Sequence, residues 1–365
     1  MKILLIITTI EYGGATNVIL NLANGLKSRG HDITVGFGIS SEHEKELVEN
    51  GITCKQFKWL SRTNNPLSNF LFAKELRHFV LNEKFDIVHL HSSNTLIGAL
   101  AIKIISKNPK LIFTMHGLSV LDNNYKILPY LKFFYFYYFK LFLYLVDEIV
   151  FVSAADLNLS LKKGITHKGR IIYNGLPQLN FLNRDEAKNF LGKMINFDFS
   201  SKLVFGSIGR LSYQKNFNFI IDNFKKILAK RPDIIFIIIG EGDMRQEFER
   251  QIVSLGLDQK VFLCGGVSNA SQYIKAFDLF ILPSRYEGLP VTLIEAMQAS
   301  VPCLVSQVGG NHEIVDAGSL YKLDDVDDFI AKLTAKLENN STTFINSKCF
   351  SIESMIDGYL NVYNK

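Results

Sequence analysis

A chain of 365 residues is longer than one hydrophobic core usually serves, so two domains are expected. With 47% apolar and 21% charged residues it has the composition of a soluble globular protein, neither disordered nor membrane-spanning. Its net charge of +5 is too small to argue for a nucleic-acid partner.

Residues 1–7 have the apolarity of a short signal segment, but they carry no basic residue beyond Lys2 and no small-residue cleavage site. They run straight into Gly13-Gly14 and a helix, so they read as a buried first strand. Apolar runs at 3–8, 33–36, 87–90, 111–115, 148–152 and 170–173 predict the strands of the first half. Helices fall between them, for example over 16–29, where Val18 and several leucines recur at helical spacing. The runs are continuous, as parallel strands covered on both faces require. Strand–helix–strand order predicts a doubly wound sheet.

Residues 129–142 differ, being crowded with Phe and Tyr. The segment is too short, and too often interrupted by lysine, to span a bilayer. With Lys126, Lys132 and Lys140, the stretch 126–146 suits a helix lying in an anionic membrane surface. The competing reading is a helix packed on the first domain's sheet with tyrosine tips in water. Residues 1–175 carry 20 Lys and Arg against 13 Asp and Glu, whereas 176–365 carry 20 against 22. A basic first half suits an anionic membrane or acceptor, although ordinary scatter gives such figures equally often.

Asn174-Gly175-Leu176-Pro177 is a turn cluster that marks a joint. The plan then repeats, with strands at 203–208, 234–239, 261–263, 279–282 and 303–306, and helices at 216–230, 243–255, 268–276 and 290–299. A last helix is expected over 351–363. The domains are therefore set at 1–176 and 177–350, with a tail of 351–365. Cys54, Cys264, Cys303 and Cys349 are far apart, so no zinc knuckle or redox pair is visible, and a reducing compartment fits.

The segment 284–297 reads Ser-Arg-Tyr-Glu-Gly-Leu-Pro-Val-Thr-Leu-Ile-Glu-Ala-Met. Pro is favoured in a first helical turn, so a helix is expected to begin near Leu289 or Pro290. Glu287 then precedes the helix and Glu295 lies inside it. Unpaired N–H groups near Gly288 and Leu289 suit a phosphate, and the two carboxylates suit sugar hydroxyls on either side of it. A hexose, diphosphate and ribose in series have that layout. A surface loop feeding a half-buried helix has the same spacing.

Four other stretches follow strands. Gly13-Gly14 lets backbone approach a phosphate, but the three-glycine dinucleotide fingerprint is absent, which disfavours NAD or FAD; a plain tight turn remains open. In Gly209-Arg210-Leu211-Ser212-Tyr213-Gln214-Lys215, Arg210 offers a planar fork and Lys215 a point charge, both apt for a diphosphate. Gly240-Glu241-Gly242 is a turn able to present backbone groups, or simply a strand end. Gly309-Gly310-Asn311-His312-Glu313 either closes over a ligand or is a glycine turn with a surface Glu. His116 ends a strand, where it points at a ligand or is a satisfied structural residue. His89 and His91 share a strand face; without a nearby carboxylate cluster a metal is not indicated, and His91, at the strand end, is the candidate acceptor contact.

The segment 284–297, the Gly-Arg-Leu…Lys-Asn stretch at 209–216, Gly240-Glu241-Gly242 and Gly309-Gly310…Glu313 together resemble retaining glycosyltransferases of family 4. The resemblance covers most of the second half; in the first it rests on the glycine loop and His116. It implies an α/β GT-B fold, two Rossmann-like doubly wound domains facing across a cleft, with the tail crossing back. It implies a hexosyltransferase using a nucleoside-diphosphate sugar, without metal or cofactor. Glu287, His116, Arg210 and Lys215 would be catalytic, and Gly13, Gly14, Gly240, Glu241, Gly288, Leu289 and Glu295 would join Arg210, Lys215 and Glu287 in binding the donor. Two departures stand out: Ser300 where the family usually has Gly, and a shortened stretch at Ala317-Gly318-Ser319-Leu320-Tyr321.

The Asn-, Ile-, Lys- and Phe-rich usage points to an AT-rich, bacterial genome. A glycan or lipid-linked acceptor of surface polysaccharide synthesis, lipopolysaccharide or capsule, is then expected at the cytoplasmic face of the inner membrane. Other readings keep the fold but change the reaction: a nucleotide-sugar epimerase, a phosphorylase, or a silent nucleotide-sugar-binding module.

Overall fold

In the computed structural model, residues 1–11, 13–63, 65–105, 109–199, 201–339 and 341–365 are described. The chain divides into one unit of Met1–Pro177 with Lys348–Lys365 and a second of Gln178–Ser347.

Unit 1 begins β1 (Lys2–Thr9), α1 (Gly14–Ser28), β2 (Asp32–Ile39), α2 (His43–Glu49) and β3 (Thr53–Gln56). It continues α3 (Pro66–Glu83), β4 (Ile87–His91), α4 (Gly98–Lys103) and β5 (Lys110–Met115). It then runs through α5 (Pro129–Tyr144), β6 (Glu148–Phe151), α6 (Ala154–Lys163) and β7 (Arg170–Ile171). The strands form one parallel sheet, ordered β3-β2-β1-β4-β5-β6-β7. Strand β1 sits inside it, with Ile3, Leu4, Leu5 and Ile6 fully buried, which is why its sequence does not alternate.

Unit 2 holds α7 (Arg184–Ile195), β8 (Leu203–Ile208), α8 (Phe217–Lys230), β9 (Ile234–Ile239), α9 (Arg245–Ser254) and β10 (Val261–Gly265). After these come β11 (Leu279–Leu282), α10 (Val291–Gln298), β12 (Cys303–Ser306), β13 (Leu320–Tyr321) and α11 (Val326–Glu338). Its parallel sheet is ordered β10-β9-β8-β11-β12-β13. All six residues of β9 are buried.

The final helix, α12 (Ile352–Tyr363), belongs to unit 1. A methyl on Gly25 of α1 would lie 2.0 Å from Ile356 Cδ1, so the glycine admits α12 at close range. Arg29 and Asp357 pair at 2.9 Å.

Two expectations need correction, and two further points lie outside what the sequence predicted. Residues 268–276 form no α-helix but a 3-10 helix over Ala270–Ala276. Helix α10 starts at Val291, with Pro290 in an extended conformation as its cap, so the proline sits one position before the first turn. Strands β3 and β13 had no legible signal: Thr-Cys-Lys-Gln is a polar edge strand, and β13 is two residues long. In α5, only Phe139 and Leu143 are buried, while Tyr130, Phe133, Tyr137 and Tyr144 are exposed. Among the described residues, no helix is long and apolar enough to cross a membrane.

Candidate active site

In unit 2 the parallel order β9-β8-β11-β12 sets four strand-ending loops side by side. This brings together residues far apart in sequence. Lys215, after β8, reaches Glu287, after β11, with Nζ 2.6 Å from Oε1. Ser284 Oγ donates to the same oxygen at 2.6 Å. Gln214 Nε2 donates to Tyr286 O at 3.1 Å and approaches Glu287 Oε2 at 3.4 Å, and Arg285 N–H donates to Gln214 O at 2.8 Å. Glu287 is thus a carboxylate held from three directions, its side chain only 8% exposed.

The β12 loop supports it from beneath. Gly310 N–H donates to Gly288 O at 2.8 Å. Gly309 has φ +48°, and a Cβ there would sit 1.9 Å from Glu287 O. Only glycine permits both that conformation and that approach. No side chain caps α10, in contrast to Ser153 on α6, Asn183 on α7 and Ser351 on α12. The Gly288 N–H has no hydrogen-bond partner among the described residues, and Thr292 Oγ1 is buried without one. The entrance of α10 therefore presents donors and the positive end of a helix dipole to an anion.

Glu295 lies inside α10, buried, with no hydrogen bond to its carboxylate among the described residues. Burial pushes its pKa up to about 7, opposed by the charge of Lys215. It is a carboxyl group with unused acceptor capacity.

Arg210 is not drawn into this network. Its side chain is exposed and makes no hydrogen bond or ion pair among the described residues. The β8 and β9 loops meet backbone to backbone: a Cβ on Gly240 would lie 2.0 Å from Gly209 O, and one on Gly242 2.2 Å from Leu211 O. The Glu241 carboxylate turns to Arg245 at 2.6 Å and stays exposed.

Unit 1 gathers a histidine cluster at the ends of β4 and β5. His89 is engaged at both nitrogens, Nδ1 with Tyr363 Oη and Nε2 with Thr114 Oγ1, each at 2.8 Å, which leaves neither for a metal. His91 is fully buried. Its Nδ1 lies 3.0 Å from His116 Nε2, and its own Nε2 has no partner. Any reach of His91 to a ligand therefore runs through His116, which is only half-buried. Burial holds all three imidazoles below the usual range, His116 at about 4. Both partners are then neutral, so one ring nitrogen donates and the other accepts. Ser92, next in the chain, has φ +124°, and its hydroxyl lies 2.7 Å from Thr8 Oγ1. Strain of this kind at a strand end is a mark of a functional turn. Gly13 caps α1 in an extended conformation, and a Cβ there would meet nothing within 4 Å.

Ser284 and Thr292 lie within the 284–297 segment and Gln214 within the 209–216 stretch, but none is a predicted ligand, and Ser92 carries no motif signal; the reach of Gln214 to Glu287 depends on strand order, which sequence spacing does not show.

The fold is shared with solved glycosyltransferases of the GT-B class. HepE of Anabaena, in complex with UDP-glucose, matches at a TM-score of 0.80 and 20% identity, covering 100% of this chain and 99% of that one. The model "Glycosyltransferase Family 4" matches residues 12–177 and "Glycosyl transferases group 1" residues 195–347. The chain is a glycosyltransferase that carries one domain of each of these two families. Among curated relatives, an Escherichia coli UDP-Gal:alpha-D-GlcNAc-diphosphoundecaprenol alpha-1,3-galactosyltransferase is 27% identical, over 77% of this chain and 76% of its own. The lipopolysaccharide core biosynthesis mannosyltransferase LpsB of Rhizobium meliloti is 31% identical, over 41% and 43%.

Proposed function

We propose that this glycosyltransferase moves a hexose from a nucleoside-diphosphate sugar to a lipid-linked glycan acceptor of surface polysaccharide synthesis, with retention of anomeric configuration and without a metal or other cofactor. The observation that carries the reading is Glu287, a buried carboxylate clamped by Lys215 and Ser284 directly before an uncapped helix. Uridine diphosphate is the nucleotide to test first, because it is named for both HepE and the E. coli relative.

In this scheme the diphosphate lies at the entrance of α10, against Gly288, Leu289 and the exposed Arg210, with Lys215 balancing its charge. Glu295 accepts from the ribose hydroxyls, and Glu287 from the hexose. The Gly240-Glu241 turn frames the nucleoside through its backbone. Within unit 1, the Gly13-Gly14 loop and His116, with His91 behind it, are the residues proposed to meet the sugar and the acceptor. The acceptor hydroxyl oxygen attacks the anomeric carbon on the face from which the phosphate oxygen departs. The C–O bond to phosphate breaks, and the acceptor proton passes to that leaving oxygen. Arg210 and the helix dipole stabilise the charge that builds there. No protein nucleophile takes part.

The aromatic, lysine-bearing outer face of α5 supports peripheral contact with an anionic membrane. Flotation with phosphatidylglycerol vesicles tests this, since salt-sensitive binding is expected. The chemistry is tested by incubating UDP-sugars with isoprenoid-diphosphate sugar acceptors, with and without EDTA. The anomeric proton coupling of the product is then read by NMR. An inverted product, or transfer abolished by EDTA and restored by a divalent cation, would remove the corresponding part of the proposal.

A further inference from the structure

A groove of about 540 Å3 opens on unit 1 between α3, α4 and α5. Its walls are apolar at helical spacing: Phe134, Tyr138 and Phe142 from α5, Leu100 from α4 and Ile104 at that helix's C-terminal cap. Three of these are strongly exposed, Ile104 at 62%, Phe134 at 59% and Leu100 at 53%, as is the groove residue Phe70 at 66%. Exposed apolar surface of this kind marks a binding site more often than chance, and the volume is that of a small-ligand pocket.

Charge narrows the choice of occupant. No Asp or Glu lines the groove, whereas Lys74 and Arg77 do. Both cations are exposed and have no acidic partner among the described residues. A second copy of this chain, docked face to face, would set these cations against their own counterparts. A hydrocarbon chain ending in an anionic head satisfies both features at once. Position adds a third constraint. The wall includes Ser93 and Asn94, two and three residues beyond His91 at the end of β4. Tyr138 Oη donates to Ser93 O at 2.8 Å, tying α5 to that strand end. The groove thus adjoins the histidine cluster of the candidate site.

We propose that this groove holds the isoprenoid chain of the lipid-linked acceptor, with its diphosphate head against Lys74 and Arg77. The inference rests on the proposed use of a lipid-linked acceptor, but it is a statement about binding and is tested without turnover.

The probe is farnesyl diphosphate, titrated calorimetrically into the full-length protein with UDP at saturation to occupy the donor site. Binding is expected, with farnesol and inorganic pyrophosphate each at least tenfold weaker. Leu100→Glu and Ile104→Glu, both at exposed positions, should weaken farnesyl diphosphate binding at least tenfold while leaving the melting temperature and UDP binding unchanged. Lys74→Glu with Arg77→Glu should do the same and abolish the salt dependence. Equal binding by wild type and groove variants overturns the proposal. So does adsorption to phosphatidylglycerol vesicles without farnesyl diphosphate binding, which assigns the face to bulk bilayer. A dimer in sedimentation velocity that these substitutions dissolve overturns it as well. Farnesyl diphosphate binding without any sugar transfer upholds the groove and fails the proposed reaction alone.

Discussion

Lys215 Nζ and Glu287 Oε1 stand 2.6 Å apart, with side chains only 14% and 8% exposed. Strand pairing β8-β11 makes the contact. A pair this secluded is strong against removal of one partner, because the survivor keeps its desolvation cost without its counter-charge. Lys215→Met and Glu287→Gln should each destabilise the fold by about 2–3 kcal/mol. The double variant should lose clearly less than the sum. Urea denaturation of the four proteins measures the coupling, and strict additivity would contradict it.

Arg210 presents the opposite case. Its side chain is exposed and unpartnered among the described residues, so Arg210→Ala should change stability by less than about 0.5 kcal/mol. If it meets the departing diphosphate, kcat falls about 100-fold or more. Parallel urea melts and UDP-release rates separate the two, and an unchanged kcat would take Arg210 out of the site.

For Glu295 the folded-state pKa is raised from 4.5 to about 7. Below pH 4.5 both states are protonated and the group costs nothing. Between there and pH 7 the folded protein holds a proton that the unfolded chain has lost, so stability declines as pH rises. Above about pH 7 the cost is complete, on the order of 3 kcal/mol. Glu295→Gln should therefore melt higher than wild type at pH 8 and equally at pH 4.5, while binding nucleotide more weakly. A melting difference independent of pH would refute the assignment.

The histidine cluster carries the opposite sign. Its imidazoles are held below 6.5, His116 at about 4. Above pH 6.5 neither state is charged. As pH falls towards 4, the unfolded chain takes up protons that the folded one refuses, and stability drops. His116→Asn should flatten the acid limb of the melting curve, which scanning calorimetry from pH 7 to pH 4 records.

Gly309→Ala places a methyl 1.9 Å from Glu287 O at a position with φ +48°. Both strain and clash oppose it, and a loss of about 2 kcal/mol or more is expected, together with loss of transfer. Gly13→Ala, whose Cβ meets nothing within 4 Å, should leave the fold intact. Thermal melts of the two variants provide the comparison.

Repeated apolar runs and strand-end glycines were enough to announce two doubly wound units, because a strand covered on both faces must be apolar throughout. The segment 284–297 likewise showed its helix and its two carboxylates, one before the helix and one inside it, because a proline-led helix start is a local pattern. Short polar edge strands such as β3 left no such trace.

Apart from Ser284, three residues upstream, the residues that hold Glu287 were beyond local pattern. Gln214 and Lys215 reach it only because β8 and β11 are neighbours in the sheet. The same holds for Tyr363 and Thr114, which occupy both nitrogens of His89, and for the groove that α3, α4 and α5 leave open beside Ser93. Periodicity records what each element buries, whereas hydrogen-bond partners and cavities follow from strand order and helix approach, which are settled only when the elements pack.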